Sequence, residues 1–164
     1  MPITFDRDAY NKYDALSKDV MSDWLLRNQY KGIDTKETYG VDIICKDKDN
    51  IECYFETELK RGWYDTWPKS WKNIRIPYRK KKIIDKWMRE GSLGSLTFVQ
   101  FNEDLNYAWF MNGDTVHKSE VKPVDTFRKA AELFYHIKLP DAKLVTIKEN
   151  TYDKDALINS KYPS

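Results

Sequence analysis

The chain has little of what most catalytic and metal-binding signatures are built from. It carries two histidines and two cysteines among 164 residues. His117 and His136 are too far apart and too isolated for a zinc site, which gathers four nitrogen or sulfur ligands. Cys45 and Cys53 are too few for the disulfide framework of a small secreted domain. They read instead as reduced core residues of a cytosolic protein, placed to face each other across a hairpin. Glycine is scarce, and none of the six glycines builds a phosphate-cradling loop; a Ser-His-Asp signature is also missing. The opening MPITFDRDAY has no apolar signal core, and no apolar run reaches membrane-spanning length. Charge of one sign is lacking as well: the formal net charge is +2. Any nucleic-acid contact must therefore come from local clusters of cations.

What the chain does have is aromatic residues, 15% of the total within a 41% hydrophobic composition. That excludes a disordered chain and favours a packed globule. The length suits one compact domain, expected over residues 1–148, with a polar and loosely ordered tail over 149–164.

The organising stretch runs from Tyr39 to Lys60, YGVDIICKDKDNIECYFETELK. Tyr39 to Cys45 and Ile51 to Lys60 are strand-like, and Lys46 to Asn50 between them is a polar turn. Glu56, Glu58 and Lys60 follow at period two and share one face. A turn centred on Lys48 to Asn50 sets Asp42 opposite Glu56 or Glu58, where opposed side chains lie about 5 Å apart. Crowded carboxylates repel. A divalent cation removes that cost, and Mg²⁺ takes oxygen ligands of this kind. The alternative is a solvated strand face laced with Glu–Lys pairs.

Asp42 followed, after fifteen intervening residues, by Glu58-Leu59-Lys60 resembles the PD-(D/E)XK nuclease superfamily. The proline that names the motif is absent; Gly40-Val41 precedes Asp42. The resemblance covers residues 8–101. The stretch IPYRKKK after a Trp-Pro segment is similar to small nucleases of this kind encoded by bacteriophages, which would work in the cytoplasm of the host cell. The resemblance implies a restriction-endonuclease-like core: a mixed α/β fold whose central mixed sheet of four to five strands is flanked by helices. It also implies a Mg²⁺- or Mn²⁺-dependent endonuclease acting on DNA. Asp42 and Glu58 would hold the metal, with the Leu59 carbonyl as a third contact. Lys60 would orient the attacking water or stabilise the transition state. Glu56 would be a further ligand or a supporting carboxylate. An acidic residue of the first helix would join them, with Asp14 the best match and Asp19 the runner-up.

Three helices are expected. The first spans Asp6 to Asn28, with Tyr10, Tyr13, Leu16, Val20 and Trp24 as its packing stripe. Residues 32–38 are a polar connection. After Lys60 come Trp63, Trp67 and Trp71 among Arg61, Lys69, Lys72 and Arg75. The rings are read as a cover for the open end of the sheet, and the cations as DNA contacts. Pro77 starts the second helix, which ends at Glu90-Gly91. Arg79, Lys80, Lys81 and Lys82 sit in its first turn, where the helix dipole disfavours cations. Phosphate approaching that end would explain them. Leu93 to Phe101 and Asn106 to Met111 form a second hairpin, followed by a turn at Asn112 to Asp114. Asp125-Thr126 caps a third helix from Phe127 to Ile137, and Lys143 to Lys148 is an edge strand. Two rival functions remain: a non-catalytic DNA-binding module on the same fold, and a protein-interaction module that docks a partner on the Trp-rich loop. Cutting two strands calls for two active sites, which a homodimer supplies.

Overall fold

The computed structural model describes residues 7–37, 40–125 and 131–148. Helix α1 (Arg7–Arg27) is followed by β1 (Lys31–Asp34), β2 (Ile43–Lys46) and β3 (Glu52–Leu59). Then come β4 (Asn73–Pro77), α2 (Lys81–Arg89), β5 (Ser95–Phe101) and β6 (Tyr107–Asn112). The short helix α3 (Gly113–Lys118) leads to β7 (Glu120–Val124), β8 (Glu132–Lys138) and β9 (Lys143–Thr146). The fold is mixed α/β with two sheets rather than one. Six strands form the main sheet in the order β1-β2-β3-β5-β6-β9, and three form a second sheet, β4-β8-β7. Among the described residues, β3 and β5 run parallel and the other pairings are antiparallel. No described helix is long and apolar enough to cross a membrane.

The β2–β3 hairpin is set by its turn. Asp47 Oδ1 accepts from the backbone N–H groups of Asp49 and Ile51, each at 2.9 Å, and Asn50 takes a φ of 66°. An Asx turn with Asn in the left-handed region is the local chemistry of such a link. The register it sets pairs Cys45 with Cys53 and Ile43 with Phe55. Both cysteines are buried and free, as expected. The chain from α2 into β5 passes hard against β3 at Gly94. There φ is +71°, and a Cβ would lie 2.2 Å from the Glu52 carbonyl oxygen. Glycine alone fits both demands.

Each face of the main sheet has its own core, because both are covered. Met21 and Leu25 of α1 pack on Ile43, Cys45, Phe55, Val99 and Phe101. The opposite face carries Tyr54, Leu96 and Phe98 under Ile83, Ile84 and Trp87 of α2 and Ile74, Ile76, Tyr135 and Ile137 of the second sheet. Val41 joins this second core although Ile43 joins the first, since the backbone bends at residues 40–42 before β2 begins. The buried stripe of α1 differs from the expected one. Ser17, Met21 and Leu25 are buried, whereas Tyr13 and Leu16 are exposed. The helix is rotated by about one residue from the apolar stripe, which swings Asp14 and Lys18 toward the sheet.

Three other expectations are corrected. Residues 31–34 form an edge strand rather than a connection, and β4 occupies part of the Trp-rich stretch. The Asn112 to Asp114 turn is the entry to α3. Residues 132–138, expected at the end of a third helix, are β8. The apolar spacing that suggested a helix belongs to a strand rich in aromatic and branched residues, held on both edges by β4 and β7. Pairing satisfies the backbone, so packing overrides a helical period of this length. Residues 126–130, where that helix was to begin, and the tail 149–164 lie outside the described residues.

The Trp-rich stretch turns inward. Trp63 is fully buried, 5.2 Å from Trp67 and 6.2 Å from Trp109 between ring centroids. Trp67 in turn packs edge-on against Trp71 and Trp109. The rings belong to the core shared with the second sheet, packed on Trp109 of β6.

Candidate active site

The bend before β2 and the register of β3 bring two carboxylates together, and they are Asp42 and Glu56. The Asp42 backbone N–H donates to Glu56 Oε1 at 3.2 Å. Asp42 Oδ2 accepts from the Thr57 backbone N–H at 2.8 Å and from Thr57 Oγ1 at 3.1 Å. Both acids are buried. Burial first, and the neighbouring Glu56 charge second, push the Asp42 carboxyl up to about 7; Glu37 adds to the rise, while Thr57 and Lys80 oppose it. A buried acid held near neutrality by a second carboxylate is the sort of perturbation found at functional sites.

Lysines from two other elements meet this pair. Lys80, in the single 3-10 turn ahead of α2, folds inward and donates to Glu56 Oε2. Burial pulls its pKa down, yet contact with Glu56 and the charges of Glu58 and Asp42 win, and the net shift is upward. Lys18 on α1 lies 2.6 Å from Glu37, 3.4 Å from Asp14 and 3.9 Å from Asp42. Asp14 is thus beside the pair through Lys18 rather than by direct contact. A cavity of about 410 Å³ opens here, lined by Asp14, Asp42 and Glu56 together with Arg79, Lys80 and Lys82.

Glu58 shares the face of Glu56 but stands two residues on, about 7 Å along the strand. It turns to a different partner: Gln100 Nε2 donates to Glu58 Oε1 at 3.0 Å. Burial raises its pKa, against the charges of Lys80, Lys60 and Arg79 and the Gln100 hydrogen bond. Lys60 sits over the Trp71 ring at 4.9 Å, and burial lowers its pKa. Leu59 is three residues beyond Glu56, and its side chain packs on the α1-side core. The sequence motif is therefore divided. Asp42 and Glu56 form one centre; Glu58 and Lys60 face a neighbouring cavity, with Lys80 between them.

The expected DNA contacts divide as well. Arg61, Lys69, Lys72, Arg79 and Lys82 are exposed. Lys81 is tied to Asp85 at 2.6 Å, one helical turn on, and Lys80 is committed to Glu56. Asp19 is exposed on α1. Four residues of the site were not singled out from the sequence: Lys18, Glu37, Thr57 and Gln100. Gln100 alone left a signal there, as an amide inside the apolar strand SLTFVQF.

Mg²⁺ or Mn²⁺ fits the chemistry of this donor set. The oxygens are hard, and the Asp42 carboxyl is raised by burial first and by the neighbouring Glu56 charge second, the part that a cation relieves. The set is also sparse: no three His, Cys, Asp or Glu side chains converge at ligand spacing among the described residues. Such an ion would be held by one or two carboxylates with water completing its shell.

Two consequences are measurable without a metal. A carboxyl whose folded pKa exceeds its unfolded value of 3.8 favours folding only while protonated. The contribution is full below about 4 and is lost as pH rises through about 7. Stability, and with it the melting temperature, therefore declines across that window, by on the order of 4 kcal/mol, and Asp42→Asn flattens the decline. A wild-type profile that is already flat would refute the assignment. Lys80→Met leaves Glu56 buried without its ammonium partner and costs about 1–3 kcal/mol in a urea titration. An unchanged midpoint would place Lys80 in solvent.

A scan against protein-family models finds no match for this chain, and a search of curated proteins finds none either.

Proposed function

We propose that the protein is a divalent-metal-dependent endonuclease that hydrolyses phosphodiester bonds in DNA. One observation carries this reading: a buried Asp42, its carboxyl pushed up to about 7, held against Glu56 in a cavity that Arg79, Lys80 and Lys82 also line. Acids alone would bind a cation anywhere on a surface; acids and cations lining one cavity suit a cation and a phosphate together.

Asp42 and Glu56 are the residues that would hold Mg²⁺ or Mn²⁺, with Asp14 and Glu58 as nearby carboxylates. When bound, such an ion supplies neutralisation of charge on the phosphate and a water of lowered pKa. The protein's own groups do the rest. Thr57 fixes the Asp42 carboxylate by two hydrogen bonds. Lys80, released from Glu56 by the incoming charge, reaches the phosphate as a point cation. Arg79 and Lys82 orient the backbone of the nucleic acid. Lys60, held over Trp71, is a second amine beside Glu58. In this reading Lys80 takes the part first assigned to Lys60. The PD-(D/E)XK resemblance and the homodimer remain parts of the same proposal.

The test is cleavage of linear, nicked, flapped, single-stranded and four-way DNA with and without Mg²⁺ or Mn²⁺. Metal-dependent cutting of any member supports the reading; none on the whole panel overturns it. A non-catalytic DNA-binding module is the second reading. It is favoured by the Lys80–Glu56 contact, which already neutralises one acid without a metal. It predicts salt-dependent DNA binding that survives EDTA and no cutting. Trp63, Trp67 and Trp71 pack on one another and on Trp109, which leaves the interaction-module reading fewer free rings to dock a partner.

A further inference from the structure

A second cavity, of about 580 Å³, lies beside the Asp42–Glu56 centre, between the end of β3 and the second sheet. Its volume is that of a small-ligand pocket. Lys60, Arg61 and Arg75 supply cations at its edge, and Pro77, Val124 and Phe134 supply an apolar wall. Gln100 lines it from the central strand β5, although the residue is only 1% exposed. The Gln100 amide nitrogen is spent, donating to Glu58 Oε1 and to the Arg75 carbonyl oxygen at 3.0 Å each. Its Oε1 is buried and has no hydrogen-bond partner among the described residues. A buried carbonyl left unpaired inside a sheet is costly. A ligand bearing an N–H donor removes that cost.

Cations at the mouth, an apolar wall for a flat ring and a carboxamide at the base are the three things a nucleotide asks for: phosphate contact, stacking surface and an edge to read. A stacked, paired base cannot enter a cleft of this size; an unpaired one can. Glu58 lines this cavity and also a smaller one of about 210 Å³ shared with Asp14, Thr57 and Lys80. Glu58 thus stands between the larger cavity and the acids and lysine of the smaller one.

We propose that the cavity between β3 and the second sheet is a subsite for an unpaired nucleotide of the DNA, read at its edge by Gln100 and held at its phosphate by Arg61 and Arg75. The inference rests on the DNA reading above and names its substrate class: DNA carrying unpaired nucleotides in preference to intact duplex.

The experiment measures fluorescence anisotropy in EDTA, with a fully paired duplex and the same duplex interrupted by a short single-stranded gap. The wild-type chain is expected to bind the gapped DNA about tenfold more tightly, the scale of one stacked base. Gln100→Leu brings that ratio toward one. Gln100→Leu also strips Glu58 of a partner and risks the fold, so exposed Arg75→Ala is measured beside it and is expected to shrink the ratio too. A wild-type ratio near one, or a ratio that Arg75→Ala leaves unchanged, overturns the subsite. If duplex is bound as tightly as the gapped DNA, only the subsite falls. If neither DNA is bound, the DNA reading falls with it.

Discussion

Asp42→Asn is expected to lower divalent-dependent DNA cleavage by about 10²–10³-fold, the scale seen when one electrostatic stabiliser is deleted from an active site. Asparagine keeps the shape and can still accept from Thr57, so the fold survives. Removing a buried, raised carboxylate also makes the variant more stable than wild type at neutral pH. A variant that is more stable and catalytically dead is hard to explain by unfolding. Glu56→Gln is expected to lose as much cleavage, because Glu56 Oε1 receives the Asp42 N–H and Oε2 receives Lys80. Glu58→Gln is expected to lose less, since Glu58 is engaged with Gln100 instead. Initial rates on a plasmid substrate, paired with thermal melts, check all three. Loss in Glu58→Gln equal to that in Asp42→Asn would move the centre to the neighbouring cavity, where the sequence motif alone put it.

Trp63→Ala is expected to destabilise the fold by about 3–5 kcal/mol. The side chain is fully buried, and its ring meets Trp67 and Trp109. Its carbonyl also accepts the Glu103 backbone N–H at 2.8 Å, tying the loop to the β5–β6 link. The void left by an indole cannot close while those neighbours are held by their own partners; Trp67 Nε1, for instance, donates to the Trp71 carbonyl at 2.8 Å. Trp71→Ala is a useful contrast. Trp71 is half-buried, so less stability is lost, but the ring beneath Lys60 goes with it. Urea titrations measure both, and a cost below about 1 kcal/mol for Trp63→Ala would show that the cluster does not hold the loop.

The hairpin was legible because its cause is local. Asp47 and Asn50 make the turn from their own side chains, and the alternation of β3 follows from the pleat. The end of the second helix at Glu90, the edge strand near residue 143 and the facing cysteines were readable for similar reasons; the helix start at Pro77 was not, since Pro77 closes β4 and α2 begins at Lys81. β8 was not, because its seven residues have no strand period of their own and become a strand only by lying between β4 and β7. The second sheet as a whole is a set of distant pairings, with residue 74 meeting residue 137, and no local pattern announces those.

The candidate site divides along the same line. By itself the sequence determined that acids at period two would share one face of a strand and that Asp42 would stand across from them, since turn chemistry and pleating act within a few residues. Only the tertiary structure decided that Glu56 is the acid Asp42 meets and that Lys80 reaches in from the turn before α2. It also rotated α1 to carry Lys18 and Asp14 toward the pair. The Lys80 and Lys18 contacts join separate elements, and their geometry is set by how the two cores pack rather than by any neighbour in the chain.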